Sequence, residues 1–281
     1  MQPPLKAILK EIRSLDPFPD VAARVLEIAG RDEVQPADLI EVVQIDAALT
    51  GKVLKLCNSA FYGFQREVAS LEEAGNMLGV RTLVNLVLTS SANRYFRNYG
   101  GASPELQARL WKKSVTHAIA ARLIAERCGH VDKERAYTAG LLQNIGSLVL
   151  ERFYKESEQY LEAVTAQGFA LIEAEKYTLG LHHAELGARL MTSWELPEVL
   201  TDSVRFHHAP EQARIDPVLT ATVHLAETIA AARIDDDDEG RLAYEVSAAA
   251  LELTGLEAAD FEGIEIDLLL ELDKASDLLK I

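Results

Sequence analysis

Ala139-Gly140-Leu141-Leu142-Gln143-Asn144-Ile145-Gly146-Ser147-Leu148 is the stretch on which the reading of this chain turns. Its apolar residues recur at helical spacing, and Asp132 upstream is a helix-starting residue. The pattern predicts one helix from Asp132 to about Phe153. Two amides, Gln143 and Asn144, interrupt the apolar run. Gly140 and Ser147 lie one turn away, and such small neighbours let another helix approach closely. An amide can donate or accept a hydrogen bond, but it is a poor ligand for a hard or borderline cation compared with imidazole or carboxylate.

Outward from that stretch the pattern stays helical. A long helix is predicted from about Pro104 to Cys128, stopped by Gly129. On it His117 shares a face with Leu110, Ser114, Ala121 and Ile124, by steps of three, four and seven, so its imidazole is expected to point inward. Lys112 and Lys113, beside Trp111, read as solvent-facing lysines rather than a nucleic-acid contact. Asp216-Pro217 opens a helix that runs to about Ile234. In the first half, Pro17-Phe18-Pro19-Asp20 introduces a helix with Val21, Val25 and Ile28 inward. Gln35-Pro36-Ala37-Asp38 opens another, with Leu39, Val42 and Val43 inward. Leu49, Val53, Leu54 and Leu56 mark a third, and Ser70-Leu71-Glu72-Glu73 is a capping box for a fourth that ends at Gly79. Arg81 to Phe96 reads as a long apolar helix. No convincing alternating β-branched run occurs, so the expected fold class is all α. The turn cluster from Asn98 to Pro104 suggests a boundary, which divides the chain into 1–103, 104–234 and 235–281. Asp235–Glu239, five consecutive acids, reads as a solvated linker, with a cation site as the sharper alternative. Residues 241–281 read as two or three closing helices.

Composition narrows the function classes. The 281 residues are 48% hydrophobic and 26% charged, and no run approaches 18 apolar residues. The N-terminus lacks a signal-peptide core, and Cys57 and Cys128 lie in apolar helical patterns, as reduced packing residues of a cytoplasmic protein would. A formal charge of −16 disfavours nucleic acid and anionic membranes as partners, because phosphate must be met by basic surface. No phosphate-cradling glycine loop, Cys-x-x-Cys pair or nucleophile elbow is present.

The most distinctive string is Asn58-Ser59-Ala60-Phe61-Tyr62-Gly63. Asn58 and Ser59 can satisfy helix-end carbonyls, Phe61 and Tyr62 anchor a turn, and Gly63 permits positive φ. With Leu15 to Pro19, Asp46-Ala47, Val68 to Ala74 and Leu78-Gly79, it resembles the HDOD domain, an HD-related output domain of bacterial signalling proteins. The resemblance runs from about Ser14 to Ile234. It implies an N-terminal helical bundle packed on a degenerate HD-like helical half.

What the resemblance implies for chemistry goes residue by residue. Gln143-Asn144 stands where HD phosphohydrolases carry the His-Asp dyad. His183 to Ala188 resembles their His-Pro-Glu-Ile-Gly-Ala string, Arg205-Phe206-His207-His208 their Arg-Tyr-His-His string, and Glu227 stands where they use Asp. Together with His117 these positions form a degenerate site: His117, Gln143, Asn144, His183, His207, His208 and Glu227. Four imidazoles survive, and His117, His183, His207 and His208 are candidate ligands for a single transition-metal ion. The expectation is that no cofactor is needed and the histidines are hydrogen-bonded members of an inherited polar cavity. A dinuclear hydrolase needs a bridging carboxylate, which Asn144 cannot supply. The leading reading is therefore a non-catalytic signalling module acting on unidentified protein partners. The rivals are a metal-dependent phosphohydrolase of cyclic dinucleotides or nucleotides, and a small-ligand sensor.

Overall fold

The computed structural model describes residues 4–15, 17–31, 33–99, 102–234 and 246–279, and the acidic run Asp235–Glu239 lies outside them. Among the described residues every regular element is helical. In chain order these are α1 (Leu5–Ser14), α2 (Asp20–Ala29), α3 (Pro36–Val43), α4 (Ala47–Cys57), α5 (Leu71–Leu78), α6 (Val80–Asn98), α7 (Pro104–Cys128), α8 (Lys133–Leu142), α9 (Ile145–Thr165), α10 (Leu171–Leu179), α11 (His183–Ser193), α12 (Glu198–Phe206), α13 (Pro217–Ile234), α14 (Ala248–Thr254), α15 (Ala258–Lys274) and α16 (Ser276–Leu279). A 3-10 turn, Pro210–Gln212, joins α12 to α13. No helix among the described residues is long and apolar enough to cross a membrane.

Local chemistry sets the helix starts. The side chains of Asp46, Ser70, Ser103, Asp132 and Asp216 each accept a backbone N–H from the first turn of the helix they precede. Each such cap contributes about 1 kcal/mol. Gly129 ends α7 in the left-handed region (φ 70°), where a Cβ would be penalised.

Two boundaries differ from the sequence expectation, since α9 also runs past Phe153 to Thr165. The helix predicted from Asp132 to Phe153 is two, α8 and α9, broken at Gln143 and Asn144. The flanking glycines show what the break accommodates. A Cβ on Gly140 would lie 2.6 Å from the His117 carbonyl oxygen, and one on Gly146 would lie 2.1 Å from that of His183. The backbones of α8 and α9 thus touch those of α7 and α11, and the two contacts straddle the amide pair.

A single apolar cluster runs from Ile8 to Leu278, so helices α1–α6, the helices of residues 104–234 and α14–α16 share one core. Between α6 and α8, Thr138 donates to the Asn85 amide oxygen (2.7 Å), Asn85 donates to the Glu134 carboxylate (2.6 Å), and the Thr89 and Tyr137 hydroxyls pair at 3.1 Å. Phe18 stacks on Trp194 with ring centres 5.1 Å apart, and Tyr95 meets the same indole edge-on at 5.0 Å.

The Asn58–Gly63 corner also joins parts of the molecule. Asn58 donates to the Leu54 carbonyl and exchanges two hydrogen bonds with Val68, and Ser59 donates to the Leu56 carbonyl. Gly63 has φ 64°. Phe61 lies under the Arg122 guanidinium of α7 (4.7 Å), and Arg122 in turn pairs with Glu271 of α15. Tyr62 is half-buried beside them. Cys57 is buried and its thiol is pushed up to about 11 by burial, so it is unreactive packing. Cys128 is also a free thiol but only half-buried.

Candidate functional site

The polar groups come from α7, the α8–α9 break, α11, the end of α12 and α13. His117 comes from the middle of α7, fully buried with Leu110, Ser114, Ala121 and Ile124 as its spacing required. Asn144 sits at the α8–α9 break, His183 begins α11, His207 and His208 follow α12, and Glu227 lies inside α13.

His183, His207, His208 and Glu227 form one cluster, with a donor atom from each within 4.8 Å of the others. His183 and His208 face each other Nε2 to Nε2 at 2.9 Å. Glu227 Oε2 lies 3.4 Å from His207 Nε2 and 3.7 Å from His208 Nε2. His117 is not among the four. The amide of Asn144 contacts its Nδ1 at 2.9 Å. The four groups that converge are thus not the four imidazoles named from the sequence: Glu227 is among them, and His117, which meets Asn144, is not. Gln143 is fully buried, and neither end of its amide has a hydrogen-bond partner among the described residues.

Two residues the sequence reading had not assigned to the site complete it. Glu175 of α10 is fully buried and accepts from the His183 backbone N–H (2.7 Å), from His183 Nδ1 (2.9 Å) and from the Tyr154 hydroxyl. Lys113, expected in solvent, instead reaches inward to 3.8 Å from Glu227 Oε1. It stands one turn before His117 on α7, so the inward face is wider than the apolar spacing suggested.

Hydrogen bonds choose the tautomers. The His183 Nδ1–H is held by Glu175 and the His207 Nδ1–H donates to the Val204 carbonyl at 2.7 Å, so both Nε2 atoms face the cluster. The Nε2 of His207 and both oxygens of Glu227 are buried without a hydrogen-bond partner among the described residues. Leaving such atoms unmatched costs about 1–3 kcal/mol each.

The electrostatics separate the imidazoles. Burial pushes His117 down to about 3, helped by the Lys113 charge. Burial also holds His207 down at about 4, and His208 well below the usual range. His183 goes the other way: burial opposes its charge, but the Glu175 carboxylate outweighs burial and raises it. Glu175 stays below the usual carboxylate range, because His183 and its hydrogen bonds outweigh burial. Burial likewise opposes the charge on Glu227, yet His208, His207 and Lys113 hold its carboxyl well below that range.

This donor set suits one borderline divalent cation: three imidazoles, a carboxylate, and a second carboxylate behind His183 in the arrangement that orients metal-bound histidines. Asn144, whose amide meets His117, adds no charge to this set.

The sequence profile of the HDOD domain matches residues 15–210. The chain belongs to the HDOD domain family. A Shewanella amazonensis SB2B structure named as a candidate phosphohydrolase is similar at 27% identity, covering 98% of this chain and 97% of its own, with a TM-score of 0.74. An HDOD protein of unknown function from Geobacter sulfurreducens shares the fold at 24% identity, with a TM-score of 0.73 over 98% of this chain and 96% of its own. An uncharacterised Treponema pallidum protein is 29% identical over 224 residues, 76% of this HDOD chain. This chain spans 42% of that relative's length.

Proposed function

We propose that this HDOD chain is a non-catalytic bacterial signal-transduction module that works by contact with other proteins. The observation that carries the reading is Asn144. Its amide engages His117, at the position where a hydrolase would need a carboxylate bridging two cations. A fold kept without its hydrolytic chemistry transmits information only through conformations that differ in affinity for something else. The α6–α8 seam and the Asn58–Gly63 corner, where N-terminal and HD-like helices meet, are natural places for such a difference. The test is turnover. Purified protein with a cyclic dinucleotide and Mn²⁺ or Fe²⁺ should hydrolyse no faster than a metal-only blank. Turnover that disappears in His183→Ala would overturn the reading.

The four-donor cluster favours a second, compatible reading: one transition-metal ion held by His183, His207, His208 and Glu227. Such an ion would supply a cross-link between α11, the end of α12 and α13. Zn²⁺ added to metal-stripped protein should then raise the melting temperature in a concentration-dependent way, and the shift should vanish in His207→Ala. An unchanged melting temperature across Zn²⁺ concentrations would contradict it.

A further inference from the structure

Above His208 the surface opens into a groove of about 680 Å³, walled by α10, the start of α11, the end of α12 and the loop after the 3-10 turn. That volume falls in the usual range for small-molecule sites. Its lining includes Lys176, Arg205 and Arg214, together with His182 and His208.

The arginines stand out by contrast with the rest of the chain. This is a strongly acidic protein, and its other described arginine side chains are partnered. Arg24, Arg31, Arg66, Arg81, Arg94, Arg109, Arg122, Arg127, Arg135, Arg152 and Arg189 each pair with a carboxylate, and Arg97 is engaged too. Arg205 and Arg214 have no such pairing among the described residues, and both line this groove. The two groove carboxylates are already engaged. Glu185 holds Arg189 at 2.7 Å, and Asp202 accepts the backbone N–H groups of Arg214 and Ile215 at 2.7 and 3.0 Å. The Asp202 bonds fix the loop that carries Arg214 against α12, so its guanidinium is presented at the groove.

We infer that this groove binds a phosphate-bearing small molecule of nucleotide size, with Arg205, Arg214 and Lys176 as its anion-binding groups. Guanidinium forks match phosphate oxygens in pairs, and an ammonium adds a point charge. Phe206 and Ile172, both half-buried in the wall, offer an apolar face for the body of the ligand. The assignment goes beyond the proposed signalling role by giving the module an input, and it requires no hydrolysis.

The test uses the full chain, stripped of metal with a chelator that is then removed, at 0.15 M salt. Pyrophosphate, AMP, GMP and a phosphoserine peptide are titrated by calorimetry. The expected result is saturable binding of at least one nucleotide, weakened about tenfold or more in Arg205→Gln/Arg214→Gln. Binding should survive in part in Arg205→Lys/Arg214→Lys and fully in Lys112→Gln. The melting temperatures of the variants should match the parent, since neither arginine is buried. No saturable binding up to about 10 mM, a range typical of the weakest specific sites, would overturn the inference. So would equal binding by the double Gln variant, or tighter binding of the phosphoserine peptide than of any small phosphate. Phosphorus NMR of the nucleotide afterwards should find it intact. Cleavage would sink the non-catalytic reading while leaving the groove assignment standing.

Discussion

At the scale of single residues, the site stores a pH dependence. His117 and His207 titrate at about 3 and about 4 in the fold, against the ordinary 6.5. Below pH 6.5 the unfolded chain therefore binds protons that the folded chain refuses. Stability conferred by these neutral imidazoles is complete above 6.5 and is lost as pH falls towards 4, at an order of 1 kcal/mol per pH unit for each. His183, raised by Glu175, contributes in the opposite sense, and that contribution fades as pH rises through its folded value. Urea midpoints should fall between pH 7 and pH 5. A midpoint that is flat or rises over that range would contradict the assigned protonation states. Glu175→Ala removes the charge that supports His183 and leaves the buried His183 Nδ1–H and backbone N–H without their acceptor, so a loss of about 3–5 kcal/mol is expected from denaturant unfolding. A loss below about 1 kcal/mol, the worth of an exposed pair, would mean Glu175 does not support the site. The inward placement of His117 was legible from its neighbours on α7, but Glu175 and Lys113 were not. Glu175 does share a helical face with Ile172 and Leu179, which was the available signal. Its partner His183, however, is reached through tertiary packing that spacing alone does not encode.

At the scale of elements, the α8–α9 break is the feature that helical periodicity missed. Neither Gly nor Pro stands at 143–144, and apolar spacing continues through the pair, so nothing local announces a stop. Tertiary contact provides it: Gly140 against His117 and Gly146 against His183 draw two neighbouring helices onto the break. The small residues around the amides did signal a close approach, without saying that the helix would end. Gly146→Ala should destabilise the protein by about 1–3 kcal/mol or more, because a backbone carbonyl has to move. Gly51→Ala, on the exposed side of α4 with nothing within 4 Å of the new Cβ, should instead stabilise by about 0.5–1 kcal/mol. Thermal unfolding of the two variants checks this, and shifts of the same sign would refute the packing argument. The helix starts at Ser70, Asp132 and Asp216 were much more legible, since those side chains act through contacts within one turn.

At the scale of the whole molecule, the all-α class and the family followed from strings spread along most of the chain. The joints between those strings did not, because Phe18, Tyr95 and Trp194 meet only in the folded state. Trp194→Ala should cost about 3–5 kcal/mol and lower the melting temperature of the chain as a unit, given the continuous core. Two resolved thermal transitions in the parent protein would instead show separately folding halves. The proposed signalling role requires that this HDOD scaffold lack the two-cation chemistry of a phosphodiesterase. The most direct test is metal stoichiometry. Protein loaded with Mn²⁺ or Zn²⁺ and freed of excess is assayed for bound metal per chain by mass spectrometry, in parallel with cyclic-dinucleotide hydrolysis. No more than one tightly held ion per chain is expected, lost in His207→Ala, with no turnover. Two ions per chain accompanied by hydrolysis would contradict it.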